Sequence, residues 1–153
     1  MDRFFRVVGT GSREWPDNEA LHRVFDELFL AVGRLYVAQG GARGADKAMN
    51  AWCLRAHARF GPSRIAKKTF PAQWNRSGGR GAFDRTAGYN RNRLMVDTVK
   101  PDLVLAFIHA KSGGSTQCAQ YAIDEGYEVI IFRSDEEPQH VKAGSEIVLP
   151  TYR

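Results

Sequence analysis

Apolar residues fall along this chain in two rhythms, short near-continuous runs and stripes at helical spacing. Phe4 to Val8, Leu35 to Ala38, Ile65 to Phe70, Leu103 to Ile108 and Glu128 to Phe132 read as five β-strands, the fourth an almost unbroken apolar run. Runs of that kind belong to strands buried on both faces of a sheet. Between them, Leu21, Val24, Phe25, Leu28 and Val32 recur every three or four residues, as do Ala45, Ala48, Met49, Trp52 and Ala56. A third stripe is Leu94, Met95 and Val99 within Ala87 to Val99, and a fourth is Cys118, Ala119, Ala122 and Ile123. Each stripe is one face of an amphipathic helix. Asp17, just after Pro16, is placed to cap the first helix, and Gly33 to close it. Gly61-Pro62 and Gly126 end the second and fourth.

Strands alternating with helices predict a Rossmann-like three-layer α/β fold, with a five-stranded mainly parallel sheet in the order 3-2-1-4-5. The reading is of one domain over residues 1–153, with its core in 4–132 and a tail over 134–153. Within that tail, Glu146 to Leu149 is a candidate for a short extra edge strand. No apolar run approaches the ~20 residues that span a bilayer, so no membrane partner is expected. Met1 to Arg6 enters a strand with no signal-peptide apolar stretch. Cys53 and Cys118 both fall on apolar helix faces, as buried thiols of a reducing compartment would, and the expected location is cytoplasmic.

The chemistry gathers in the turns. Gly9-Thr10-Gly11-Ser12-Arg13 follows the first strand, Gln39-Gly40-Gly41-Ala42-Arg43-Gly44-Ala45-Asp46 the second, and Ser112-Gly113-Gly114-Ser115-Thr116 the fourth. Glycine lets another group approach the backbone, and a helix N-terminus with bare N–H groups attracts phosphate. Ligands of parallel sheets sit beyond the carboxyl ends of the strands. Three such turns on one edge therefore predict a nucleotide-like ligand there. The candidate contacts are Gly11, Ser12, Arg13, Gly40, Gly41, Arg43, Gly44, Arg91, Gly113, Gly114, Ser115 and Thr116.

Several of these residues have a plainer role open to them. Arg91 fits a phosphate or ribose contact, or an ion pair. Arg13 and Arg43 fit ligand contacts or turn braces. Thr116 fits a phosphate or the cap of its own helix. Asp46, in the first turn of its helix, suits the helix dipole as well as a ribose hydroxyl or a water. Trp74 fits base stacking or packing. His22, His57, His109 and His140 lack ligand spacing, so neither metal nor cofactor is expected. Cys118 has no visible general base beside it and reads as core.

Charge adds a partner class. The net charge is +5, yet residues 55–93 hold ten Lys/Arg against the single acid Asp84, while the remainder is net acidic. A basic segment of this kind suits a phosphorylated ligand or a nucleic acid.

Gly11-Ser12-Arg13, Gly40 to Asp46, Pro71-Ala72 with Trp74, Ala87-Gly88 with Arg91-Asn92, and the 112–116 turn occur in an order that resembles YspA-like proteins. These are the cpYpsA-related branch of the SLOG superfamily, which also holds the LOG phosphoribohydrolases and DprA. The resemblance covers about residues 4–132 and implies a Rossmann-like fold that binds nucleotides or their derivatives, in a group common in bacteria and their phages. LOG enzymes cleave the bond between base and ribose 5-monophosphate, and their relatives imply a homodimer. Their arginine-bearing helix is similar to Arg91-Asn92 with Met95 here, which adds Asn92 to the implied ligand set. Their catalytic glutamate, however, falls where this chain has Cys118, and Gln117 and Gln120 supply no carboxylate. The basic 75–85 loop is also longer than the family pattern.

The leading expectation is a module that binds, senses or processes a nucleotide-derived phosphorylated small molecule. The alternative is an N-glycosidic hydrolase or transferase with Glu14 or Asp46 as the displaced acid. A DprA-like nucleic-acid binder, with Trp74 and Tyr89 as stacking surfaces, comes third.

Overall fold

A computed structural model describes residues 3–72, 86–110, 113–134 and 136–141. The elements run β1 (Phe5–Gly11), α1 (Asn18–Val32), β2 (Leu35–Gln39), α2 (Ala45–Phe60), β3 (Ile65–Thr69), α3 (Ala87–Val99), β4 (Leu103–Ile108), α4 (Gly113–Asp124), β5 (Val129–Arg133) and β6 (Gln139–Val141). The sheet order is β3-β2-β1-β4-β5-β6, parallel throughout except for β6, which runs antiparallel to β5. This is the expected Rossmann-like order with one strand added. The order reverses between β1 and β4, so the switch point lies beyond their carboxyl ends.

Alternation along the strands builds a core on each face. Val7, Val37, Leu103, Leu105 and Phe107 pack with Leu21, Phe25, Leu28, Met49 and Trp52 of α1 and α2. Val8, Ala38, Val104 and Ala106 pack with Met95, Val96, Val99, Cys118 and Ala122 of α3 and α4. The helix ends follow the sequence cues. The Asp17 carboxylate accepts from Ala20 N at 3.0 Å, and the Gly33 N–H closes α1 on Phe29 O.

Three expectations are corrected. The first strand does not stop at Val8: Gly9, Thr10 and Gly11 continue it, paired with Leu105, Ala106 and Phe107. These glycines are small because α2 crosses them closely. A Cβ at Gly9 would lie 2.1 Å from Met49 Sδ, and one at Gly11 2.2 Å from Ala45 Cβ. Leu94, placed on the buried stripe of α3, is 58% exposed, because Met95, Val96 and Val99 form the face that meets the sheet. Gly113 and Gly114 are the first residues of α4 rather than a loop before it. The extra edge strand is Gln139–Val141, following Pro138, whereas the expected stretch Glu146 to Leu149 lies outside the described residues.

Candidate functional site

Beyond the switch point lies a cavity of about 640 Å³. Its wall takes Thr10 to Glu14 from the end of β1, Ala42, Arg43 and Asp46 from the β2–α2 turn, and Gly88, Tyr89, Arg91 and Asn92 from α3. His109, Ala110, Gly113, Gly114 and Ser115 close it from the β4–α4 side. The volume lies within the range of small-molecule sites. Of the expected ligand residues, the fold thus brings together Gly11, Ser12, Arg13, Arg43, Asp46, Arg91, Asn92, Gly113, Gly114 and Ser115. Trp74, Ser112 and the 75–85 loop lie outside the described residues. Thr116 is exposed and is not part of the wall.

Gly40, Gly41 and Gly44 also stand back from this cavity, each for a steric reason. A Cβ on Gly40 would sit 2.1 Å from Arg91 Nη1 and 2.5 Å from its Cζ, so this glycine is the seat of the guanidinium. Gly44, at φ +77, carries the turn over the Ser12 and Arg13 backbone, whose carbonyl oxygens would lie about 2.5 and 2.4 Å from its Cβ. Gly41 lines a second, smaller cavity of about 420 Å³ with Gln39, Ala42, Arg43, Asp46, Lys47, Asn50 and Thr69. Ala42, Arg43 and Asp46 border both cavities.

Much of the polar wall is committed to holding the turns in place. Ser12 Oγ accepts from His109 N at 2.7 Å and donates to His109 O at 3.2 Å, tying the ends of β1 and β4 together. Arg91 Nη1 donates to Gly40 O at 2.6 Å and Phe70 O at 3.1 Å, and its Nε to Asn92 Oδ1 at 2.7 Å. Asn92 Nδ2 in turn donates to Gly114 O at 3.2 Å and Gln117 Oε1 at 3.3 Å. Arg91 and Asn92 therefore fix the ends of β2 and β3 against the start of α4. The second terminal nitrogen of Arg91, Nη2, has no partner among the described residues.

The remaining charges are held more loosely. Arg43 Nη2 meets Glu14 Oε2 at 2.6 Å, an exposed pair joining two turns, and this contact holds the Glu14 carboxyl below its ordinary range. Asp46 is 5% exposed. Its Oδ2 accepts from Ala42 N at 3.2 Å, while its Oδ1 is buried with no partner among the described residues. Burial pushes this carboxyl up to about 6, against the opposing pull of the Ala42 N–H, Arg91, the Gly40 N–H and Arg13. A cavity wall of three arginines with one buried, half-satisfied carboxyl has the charge and the acceptor to complement an anion that also carries a hydrogen-bond donor.

His109 and Ala110 were not foreseen as lining residues. Ala110 has φ +56, a left-handed backbone that costs a non-glycine residue about 1–2 kcal/mol, and it sits on the cavity wall. The cue in the sequence was position alone, two residues directly after the strand that borders the switch point. Cys118, at the place of the LOG glutamate, is fully buried, and burial pushes its thiol up to about 12. Cys53 and Cys118 are both free.

The basic segment is spread over several elements. Arg91 lines the main cavity, Arg55 and Arg59 lie between α1 and α2, and Arg64 stacks over Phe29 and Phe60. Among the described residues, no three His, Cys, Asp or Glu side chains come together as metal ligands would. Nor is any described helix long and apolar enough to cross a membrane.

The chain is 34% identical over 130 residues to the Gene 61 protein of Mycobacterium phage D29, covering 83% of this chain and 95% of that protein. No protein-family profile matches the chain. No solved structure matches it.

Proposed function

The chain belongs to the family of the Gene 61 protein of Mycobacterium phage D29, and we propose that it binds a nucleotide-derived phosphate ester at its β1–β4 switch point. The observation that carries this reading is convergence. Gly113, Gly114 and Ser115 open α4 on the same cavity that Arg13, Arg43 and Arg91 enter from three other segments. The first N–H groups of a helix have no partner within it, and the helix dipole adds positive potential there. Phosphate is the anion that such a corner holds best, and two further arginines leave room for a second charge. The order of the motifs, from Gly11-Ser12-Arg13 to the glycine start of α4, supports placing the chain with the YspA-like SLOG proteins. Two buried free thiols support a reducing, cytoplasmic setting.

Binding or sensing is favoured over cleavage by the state of Cys118. A buried thiol outside the cavity wall supplies neither charge nor nucleophile to a ligand. The test has two arms. Protein purified under native conditions is denatured and any released small molecule weighed by mass spectrometry. In parallel, AMP, ribose 5-phosphate and inorganic phosphate are titrated by calorimetry. The reading expects a phosphorylated compound in the first arm or saturable binding in the second. If nothing is released and none of the three binds, it is wrong.

A further inference from the structure

Asp46 Oδ1 is not the only stranded acceptor on α2. Asn50 lies one helical turn further on, at the i+4 position that shares a face with Asp46, and its Oδ1 is likewise buried without a partner among the described residues. Both residues line the smaller cavity, which shares the wall residues Ala42, Arg43 and Asp46 with the main one. A buried acceptor without a donor is a standing cost to the fold, and a pair on one face is seldom left so without a donor to meet it. The donor wanted here has to offer two O–H or N–H groups side by side, and it has to reach them from an anchor in the phosphate corner.

We propose that Asp46 and Asn50 form an acceptor pair that reads the vicinal hydroxyls of a ribose, so that the site takes ribose phosphate esters in preference to their deoxyribose counterparts. The proposal rests on the phosphate-binding reading above. In this arrangement the phosphate lies at the start of α4 among the arginines, and the sugar turns into the smaller cavity between the β2–α2 turn and α2. An ionised Asp46 accepts one hydroxyl in a charge-assisted bond and Asn50 the other in a neutral one. Lys47 and Thr69, also on that wall, leave the sugar's far edge in polar surroundings. Removing one hydroxyl from the ligand strands its acceptor again, which is the arrangement that discriminates best against a missing group.

The experiment titrates ribose 5-phosphate against 2-deoxyribose 5-phosphate, and AMP against its 2′-deoxy and 3′-deoxy forms, by calorimetry at pH 8. The intact chain is used as wild type, Asn50→Ala and Asp46→Ala. Wild type is expected to favour the ribose forms by roughly ten- to a hundredfold, the value of one hydrogen bond to a charged group. Asp46→Ala is expected to abolish most of that preference. Asn50→Ala, at a position away from the phosphate corner, is expected to reduce the preference severalfold and remains informative if Asp46→Ala does not fold. Equal binding of ribose and deoxyribose forms to wild type overturns the proposal and leaves phosphate binding intact. A preference that survives in Asn50→Ala and Asp46→Ala alike also overturns it. If no sugar phosphate or nucleotide binds, the underlying reading fails, and this one with it.

Discussion

Asp46 gives the sharpest stability test of this site, because a carboxyl buried for function ought to weaken the fold that holds it. Its ordinary value is 3.8, and burial raises it to about 6 despite the pull of the Ala42 N–H, Arg91, the Gly40 N–H and Arg13. Well below pH 4 the group is protonated in the folded and unfolded chains alike and costs nothing. As pH rises, the unfolded chain releases the proton first, so folding stability falls until the folded group has ionised as well, a little above pH 6. Two decades of proton affinity at about 1.4 kcal/mol each amount to a loss on the order of 3 kcal/mol. Asp46→Asn keeps the shape and the acceptor for Ala42 N but has no charge to bury. It should approach wild type as the pH falls to 4 and exceed its stability by about 2–3 kcal/mol at pH 7.5. Urea denaturation from pH 4 to 8, followed by the fluorescence of the buried Trp15 and Trp52, reads the difference directly. Subtracting the two curves also removes Asp102 and Glu14, whose lowered values act in the opposite direction. Parallel curves, or a variant less stable than wild type at pH 7.5, would show that the Asp46 carboxylate is well solvated or well paired.

Three further outcomes follow from the same geometry. Gly40→Ala should weaken AMP binding by at least roughly tenfold, since its Cβ displaces the Arg91 guanidinium; retained affinity in calorimetry would remove Arg91 from the site. Glu14→Gln should tighten AMP binding by roughly two- to fivefold by releasing Arg43 from an exposed pair, and unchanged or weaker binding would mean Arg43 does not meet the ligand. AMP incubated with the protein should yield no free base by chromatography. Multiple turnover to base and ribose 5-phosphate, lost on changing Glu14 or Asp46, would establish the cleavage reading instead.

The fold was legible because its signals were local and redundant. Asp17 and Gly33 bracket α1 by chemistry that acts over three or four residues, and the run Leu103 to Ile108 could be little else than a central strand. Errors arose where one residue type answers two needs. Gly9 and Gly11 look like a phosphate turn, but they are strand residues kept small for Met49 and Ala45, which only the packing of α2 discloses. Leu94 matched the apolar spacing of its helix, yet it lies off the face where Met95 and Val99 meet the sheet. For the site, the three glycine turns do fall on one edge of the sheet, as the alternation of strands and helices implies. The sequence did not distinguish a side chain that braces a turn from one left open to a ligand, because that depends on partners about fifty or a hundred residues away. Ser12 with His109, and Arg91 with Gly40, are of this kind.

That distinction is what gives the site its chemical meaning. Ser12, Asn92 and two nitrogens of Arg91, Nη1 and Nε, are engaged within the protein, and a ligand that drew on them would have to loosen the turns it binds to. What remains uncommitted among the described residues is a short inventory: Nη2 of Arg91, Arg13, an Arg43 held only by an exposed carboxylate, and Oδ1 of Asp46. Donors and cations make up all but the last of these, which is a buried acceptor. A simple anion such as sulfate would satisfy the donors and leave Asp46 stranded beside a new negative charge, raising its cost further. A neutral sugar would satisfy Asp46 and leave the arginines to solvent. A ligand with an anionic end and a hydroxylated body a few ångströms away satisfies both, and the sugar phosphates proposed above combine the two.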